Sequence, residues 1–84
     1  DTVQLTLELP ADLFSTLRQN PETFLREMCL AAAAKWYETQ QLSQGRAAEV
    51  AGLSRADFLT ALARFGVSPF QASIEEVMQD LEHD

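Results

Sequence analysis

Residues 43–66, SQGRAAEVAGLSRADFLTALARFG, decide the fold. They read as two helices joined by a tight turn, the layout of a helix-turn-helix. Ser43 is placed to cap the first helix, and Ala47, Ala48, Val50 and Ala51 give it a small apolar inner face. Gly52 supplies the backbone freedom a sharp turn requires, and Leu53 is expected to drop into the core between the helices. Ser54 is placed to cap the second helix, with Asp57 three residues on as an acidic variant of the capping box. Phe58, Leu59, Leu62 and Phe65 then fall on one face, while Arg55, Ala56, Asp57, Thr60 and Arg64 fall on the other. Gly66 is the stop.

Upstream, residues 2–9 (TVQLTLEL) alternate strictly. Val3, Leu5, Leu7 and Leu9 point one way and Thr2, Gln4, Thr6 and Glu8 the other, the pattern of a half-buried strand ended by Pro10. A lone strand leaves its backbone polar groups without partners. It therefore needs a partner, and two are available: its counterpart in a second subunit, as a dimer ribbon, and the short segment 67–72, which Pro69 confines to an edge; pairing of both kinds is expected. Residues 11–18 predict a short helix with Leu13, Phe14 and Leu17 inward. Asn20-Pro21-Glu22 is a cap, a first-turn proline and a first-turn acid, and opens a long helix to about Gln41. Its apolar positions (Phe24, Leu25, Met28, Cys29, Ala32, Trp36, Tyr37) are broad enough to predict burial on more than one side. Core or interface packing is the expected role of Trp36 and Tyr37.

Downstream, Ser73 and Glu76 form a capping box for a last helix with a narrow apolar stripe, Ile74, Val77, Met78 and Leu81. Glu75, Glu76 and Asp80 make the rest of it acidic. Such an element is marginal alone and suited to fold back or to lie in a groove on another protein. The whole is expected to be one domain, mainly α with a short β-ribbon: a strand at 2–9, a helical core at 11–42, the helix-turn-helix at 43–66, and an edge segment with the tail at 67–84. Four to five helices form the bundle. At 84 residues burial alone leaves such a domain marginal, which favours a dimer.

The net charge of −7 is unevenly placed. Residues 1–42 carry −3 and residues 67–84 carry −5, whereas residues 43–66 carry +1, from Arg46, Arg55 and Arg64 against Glu49 and Asp57. Nucleic-acid binders are usually basic, because phosphate neutralisation supplies much of their affinity. Only the helix-turn-helix escapes the acidity. If it contacts DNA, Arg55, Thr60 and Arg64 face the groove with Ser54 at the head of their helix, and Ser43, Gln44 and Arg46 lie near the backbone. Asp57 would oppose phosphate. The alternative is a two-helix corner that is purely structural, in an interaction or adaptor module that never touches DNA.

Catalytic signals are missing. His83, the single histidine, lies in the acidic end without a motif, and Cys29, the single cysteine, lies on an apolar face suited to packing. No phosphate loop and no Cys/His metal spacing occur, so neither an enzyme nor a cofactor or metal site is expected. The lone cysteine excludes an internal disulfide, and no apolar run is long enough to span a bilayer; the expected location is the cytoplasm.

Together, the opening TLELP, the alanine-rich helix running into AAKWYETQQLSQGRAAEVAGLSRADFL, the following RFGV and the acidic IEEVMQDLE resemble a family of small prokaryotic proteins common in cyanobacteria and archaea. Its members, known by a UPF-type family designation, are usually found beside PIN-domain ribonucleases and are regarded as candidate antitoxins. The resemblance covers nearly the whole chain. It implies a DNA-binding portion that represses its own operon and a C-terminal segment that neutralises a toxin. On this sequence those would be the helix-turn-helix and the tail. Ser68 and Pro69 stand where the family tends to carry a smoother strand.

Overall fold

A computed structural model of the chain describes residues 1–70. The amphipathic tail with Ile74, Glu75, Glu76, Val77, Met78, Asp80 and Leu81, and His83, lie outside the described residues. Within them the order is α1 (Leu13–Leu17), α2 (Pro21–Glu38), α3 (Gln44–Ala51) and α4 (Arg55–Leu62), followed by a 3₁₀ turn, Ala63–Phe65. The expected mainly helical architecture is present, and residues 44–62 form two short helices joined by a tight turn.

Three of the four α-helices begin on the predicted caps. The Asn20 side chain accepts the Thr23 N–H at 2.7 Å, Ser43 Oγ the Arg46 N–H at 3.2 Å, and Ser54 Oγ the Asp57 N–H at 3.1 Å. Each cap satisfies one of the amide groups that a helix start leaves without a partner, and contributes about 1 kcal/mol. The ends follow one rule as well. Arg18, Gln40, Gly52 and Gly66 all adopt left-handed backbone, at φ 55°, 63°, 70° and 66°. In each case the next residue's N–H reaches back five positions: Gln19 to Phe14, Gln41 to Trp36, Leu53 to Ala48 and Val67 to Leu62. This closure satisfies carbonyls that would otherwise lack a partner. Gly52 and Gly66 were expected as stops. The stop at Gln40 was not, and α2 therefore ends at Glu38 rather than near Gln41.

The core forms where α2 lies across the α3–α4 corner. Leu30, Ala33, Ala34 and Tyr37 of α2 meet Ala47 and Ala48 of α3, Phe58 and Leu62 of α4, and Val67. Alanines on both α2 and α3 keep the helix axes close, and Phe58 fills the space beneath them edge-on to Tyr37, with ring centroids 5.9 Å apart. Burying a side chain such as Phe58 contributes about 1.5–3 kcal/mol. At the other end α1 is held to α2 by an edge-to-face contact of Phe14 with Phe24 at 5.3 Å.

Several expectations change. Leu53 and Val50 are not core residues: they are 37% and 39% exposed, because the closure at Gly52 turns the corner outward and the alanines already fill the helix contact. Phe65 is likewise on the surface. Residues 1–10 form no regular structure, and no strand occurs among the described residues, so the β-ribbon is not formed within one chain. The physical reason lies at residues 67–70. Val67 is buried in the core, its N–H is committed to the Leu62 carbonyl, and the Pro69 carbonyl is committed to Tyr37 and Gln44. That segment locks the helices and has no edge left to offer the 2–9 segment.

A Cβ added at Gly52 would meet nothing within 4 Å, so only its φ of +70° resists substitution. Gly52→Ala is expected to cost about 1–2 kcal/mol in urea unfolding and Gly52→Asn less, since asparagine tolerates this backbone. Equal losses for both would contradict a purely conformational cost.

Candidate nucleic-acid interface

The candidate surface is the outer side of the α3–α4 corner, and every residue assigned to it from sequence can be located. Ser43 and Ser54 are both caps, so their hydroxyls are committed to backbone N–H groups. Arg46 lies on the exposed side of α3 and pairs with Glu49 at 3.0 Å, one turn along. Thr60 is exposed on α4, its hydroxyl donating to the Ala56 carbonyl at 3.1 Å. Arg64 follows α4. Its Nη2 meets Glu27 Oε2 of α2 at 2.7 Å, and its guanidinium sits 5.6 Å from the centre of the Phe65 ring. Arg26, Glu27, Asp57, Thr60 and Arg64 come together along a shallow cleft between α2 and α4. Two cations and two carboxylates there nearly cancel. At the exposed pairs Arg46–Glu49 and Arg64–Glu27 the stabilisation is about 0–1 kcal/mol each.

Gln44 is the residue whose position sequence reading missed. It was assigned to the phosphate side, yet it is buried, as the single polar member of the described core. Its Nε2 donates to Tyr37 Oη at 3.0 Å and to the Pro69 carbonyl at 3.2 Å, and its Oε1 accepts from Arg55 Nη2 at 2.9 Å. Tyr37 Oη donates to the same Pro69 carbonyl. The amide orientation is the one this network requires, with both donors on carbonyl or hydroxyl oxygens and the acceptor on a guanidinium. No buried side-chain polar atom among the described residues is left without a partner. A signal for Gln44 was present: 44, 47, 48 and 51 share one helical face, and the other three are the alanines that face α2.

The network ties the surface to the core. Arg55, the first residue of α4 and a candidate groove reader, is held at its base by a buried side chain of α3. Through Gln44 and Tyr37 it connects to the segment that leads out to residue 71. Chemically the arrangement offers hydrogen-bond donors on a capped helix start. Among the described residues no cluster of His, Cys, Asp or Glu could hold a metal ion, and no helix is long and apolar enough to cross a membrane.

The profile of a family described as "Uncharacterised protein family (UPF0175)" matches residues 2–83. A "UPF0175 protein" of the archaeon Aeropyrum pernix is 37% identical over 79 residues, covering 94% of this chain and 83% of that protein. No solved structure matches.

Gln44→Glu keeps the shape of the side chain but sets a carboxylate oxygen, which cannot donate, against the Pro69 carbonyl. It is expected to lower stability at pH 7 by about 1–3 kcal/mol. Relative to wild type the deficit shrinks at pH 4, where the carboxyl group is protonated and regains a donor. Urea unfolding at both pH values checks it; a variant as stable as wild type at pH 7 would contradict the network.

Proposed function

The chain belongs to the UPF0175 family, and on that footing we propose that it is an antitoxin and transcriptional autoregulator. It binds DNA through the α3–α4 corner as a dimer and occludes a toxin, a PIN-domain ribonuclease, with its acidic C-terminal tail. The mechanism is stoichiometric binding, not catalysis, and it operates in the cytoplasm without a cofactor. Two corners related by the dimer axis would read a palindromic site.

The observation that carries this reading is the outer face of α4. It starts on an exposed, capped turn and bears Thr60, with Arg55 half-buried at its head and Arg64 just past its end, in the one region of the chain that is not acidic. In helix-turn-helix proteins the N-terminal residues of the second helix contact base edges while the first helix crosses the backbone. Arg46, exposed on α3, fits that second task. The toxin-binding half rests on the family resemblance and on the amphipathic pattern of residues 73–84.

A second reading has a specific observation in its favour. Arg46, Arg55 and Arg64 each have a partner inside the fold, Glu49, Gln44 and Glu27. That is what a corner used only as scaffold would show. In this reading the protein is an interaction module that docks a protein partner and ignores DNA.

Salt dependence separates the two. With a duplex from the protein's own upstream region, the dissociation constant should rise steeply with salt. Arg55→Ala with Arg64→Ala should weaken binding and flatten the log–log slope by about 2. Weak binding with an unchanged slope would favour the scaffold reading. Separately, deleting residues 73–84 is expected to abolish a stable complex with a ribonuclease encoded beside this protein, measured as mass in solution. A complex that survives the deletion would sink the tail's role.

A further inference from the structure

Helix α2 carries two apolar faces besides the Phe24 contact with α1, and among the described residues only one of them packs on α3 and α4. Leu30, Ala33, Ala34 and Tyr37 face α3 and α4. Leu25, Cys29, Ala32 and Trp36, spaced four, three and four, line a second face about a third of a turn away. Leu25 is 54% exposed and Trp36 43%, while Cys29 and Ala32 between them are half-buried. No charged residue interrupts this stripe.

We propose that the second face of α2 is the seam of a homodimer, in which α2 packs antiparallel against α2 of a second copy about a two-fold axis between residues 30 and 31. The commitment to a second copy comes from the symmetry of the stripe itself. Rotation about that midpoint sets Leu25 against Trp36 and Cys29 against Ala32, so that one midpoint serves both pairs. Large side chains close the two ends, and the two smallest meet where the axes cross and must approach most closely. A self-complementary patch is what an isologous two-fold contact requires, and a different protein would have no need of it.

The 2–9 segment points to the same occupant independently. Its apolar side chains are exposed in the single chain, Val3 by 85% and Leu5 by 84%. Antiparallel pairing with its own copy about Thr6 places Val3 opposite Leu9, Leu5 opposite Leu7 and Gln4 opposite Glu8. All four apolar residues then share one face and no like charges meet. Parallel pairing in register would set Glu8 against Glu8. From Leu25 to Trp36 the helix rises only about 16 Å. That is short for the roughly 800 Å² per partner of a standard interface, and the ribbon supplies a second contact.

The dimer on which the proposed DNA reading rests would be built through this seam, but the two fail separately. A protein that dimerises here and ignores DNA loses only the function; one that binds DNA as a monomer loses only the seam.

The test is disulfide trapping with the full chain. Wild type, whose single thiol is Cys29, is mixed with Cys29→Ser/Ala32→Cys and oxidised with copper phenanthroline. Cross-links joining one chain of each kind are expected. The same mixture with Cys29→Ser/Ala31→Cys, where position 31 is exposed outside the stripe, should give several-fold fewer. In parallel, Trp36→Glu should remain helical by circular dichroism, because the side chain is outside the core. Its dimer dissociation constant should rise at least about tenfold by sedimentation. Equal trapping at 31 and 32, or a Trp36→Glu protein that dimerises as well as wild type, would overturn the seam. So would a chain that stays monomeric alone and shields Trp36 only when a different protein is added.

Discussion

The structure depends on one buried amide. Gln44 sits where α2, α3, α4 and the 67–70 segment meet, and it is hydrogen-bonded to three of its neighbours at once. A polar side chain in such a place costs free energy unless all its donors and acceptors are matched, and here they are. The requirement is directional. It fixes which way Tyr37 points, where the Pro69 carbonyl must lie and how Arg55 leaves the start of α4. An apolar residue at 44 could fill the space but would specify none of these. The alanines around it complete the constraint, since Ala33, Ala34, Ala47 and Ala48 bring α2 and α3 close enough for the amide and the phenol to meet.

This placement also explains what the sequence made legible and what it did not. The caps Asn20, Ser43 and Ser54 and the stops Gly52 and Gly66 were readable because each residue type does its job locally. The buried face of α4, with Phe58 and Leu62, followed from periodicity. Gln40 gave no such signal: it takes a left-handed backbone that glycine or asparagine would have announced. Leu53 and Val50 were expected inward on hydrophobicity alone, but alanines already occupy the contact, and a corner this tight has no room for them. Gln44 was read by polarity as a surface residue although its helical position placed it inside. The 2–9 pattern is clear in sequence, yet alternation specifies a face and not a partner, and within one chain the segment 67–70 is already committed.

Electrostatics frame the function. A chain of net charge −7 repels nucleic acid at long range. Any affinity for DNA must come from the corner at short range, where Arg46 and Arg64 would exchange carboxylates for phosphates. Glu49 is exposed and Glu27 half-buried, both at the surface, so the exchange costs little. Arg55 differs in being anchored from within: the buried Gln44 amide accepts from its guanidinium and orients it at the start of α4. The fold thus orients one guanidinium at the head of α4 from the core and pairs two more with surface carboxylates. Binding that is modest, salt-sensitive and sensitive to how many copies act together is the behaviour such a surface supports.

The most direct measurement of the central claim is a nuclear magnetic resonance titration of the full chain with a duplex from its own upstream region, repeated at two salt concentrations. The account predicts that backbone amides at the start of α4, from residue 54 to 60, shift first and furthest, together with the Arg55 side chain, and that raising the salt reverses the change. Shifts absent from α4, or spread evenly over the chain and indifferent to salt, would contradict it.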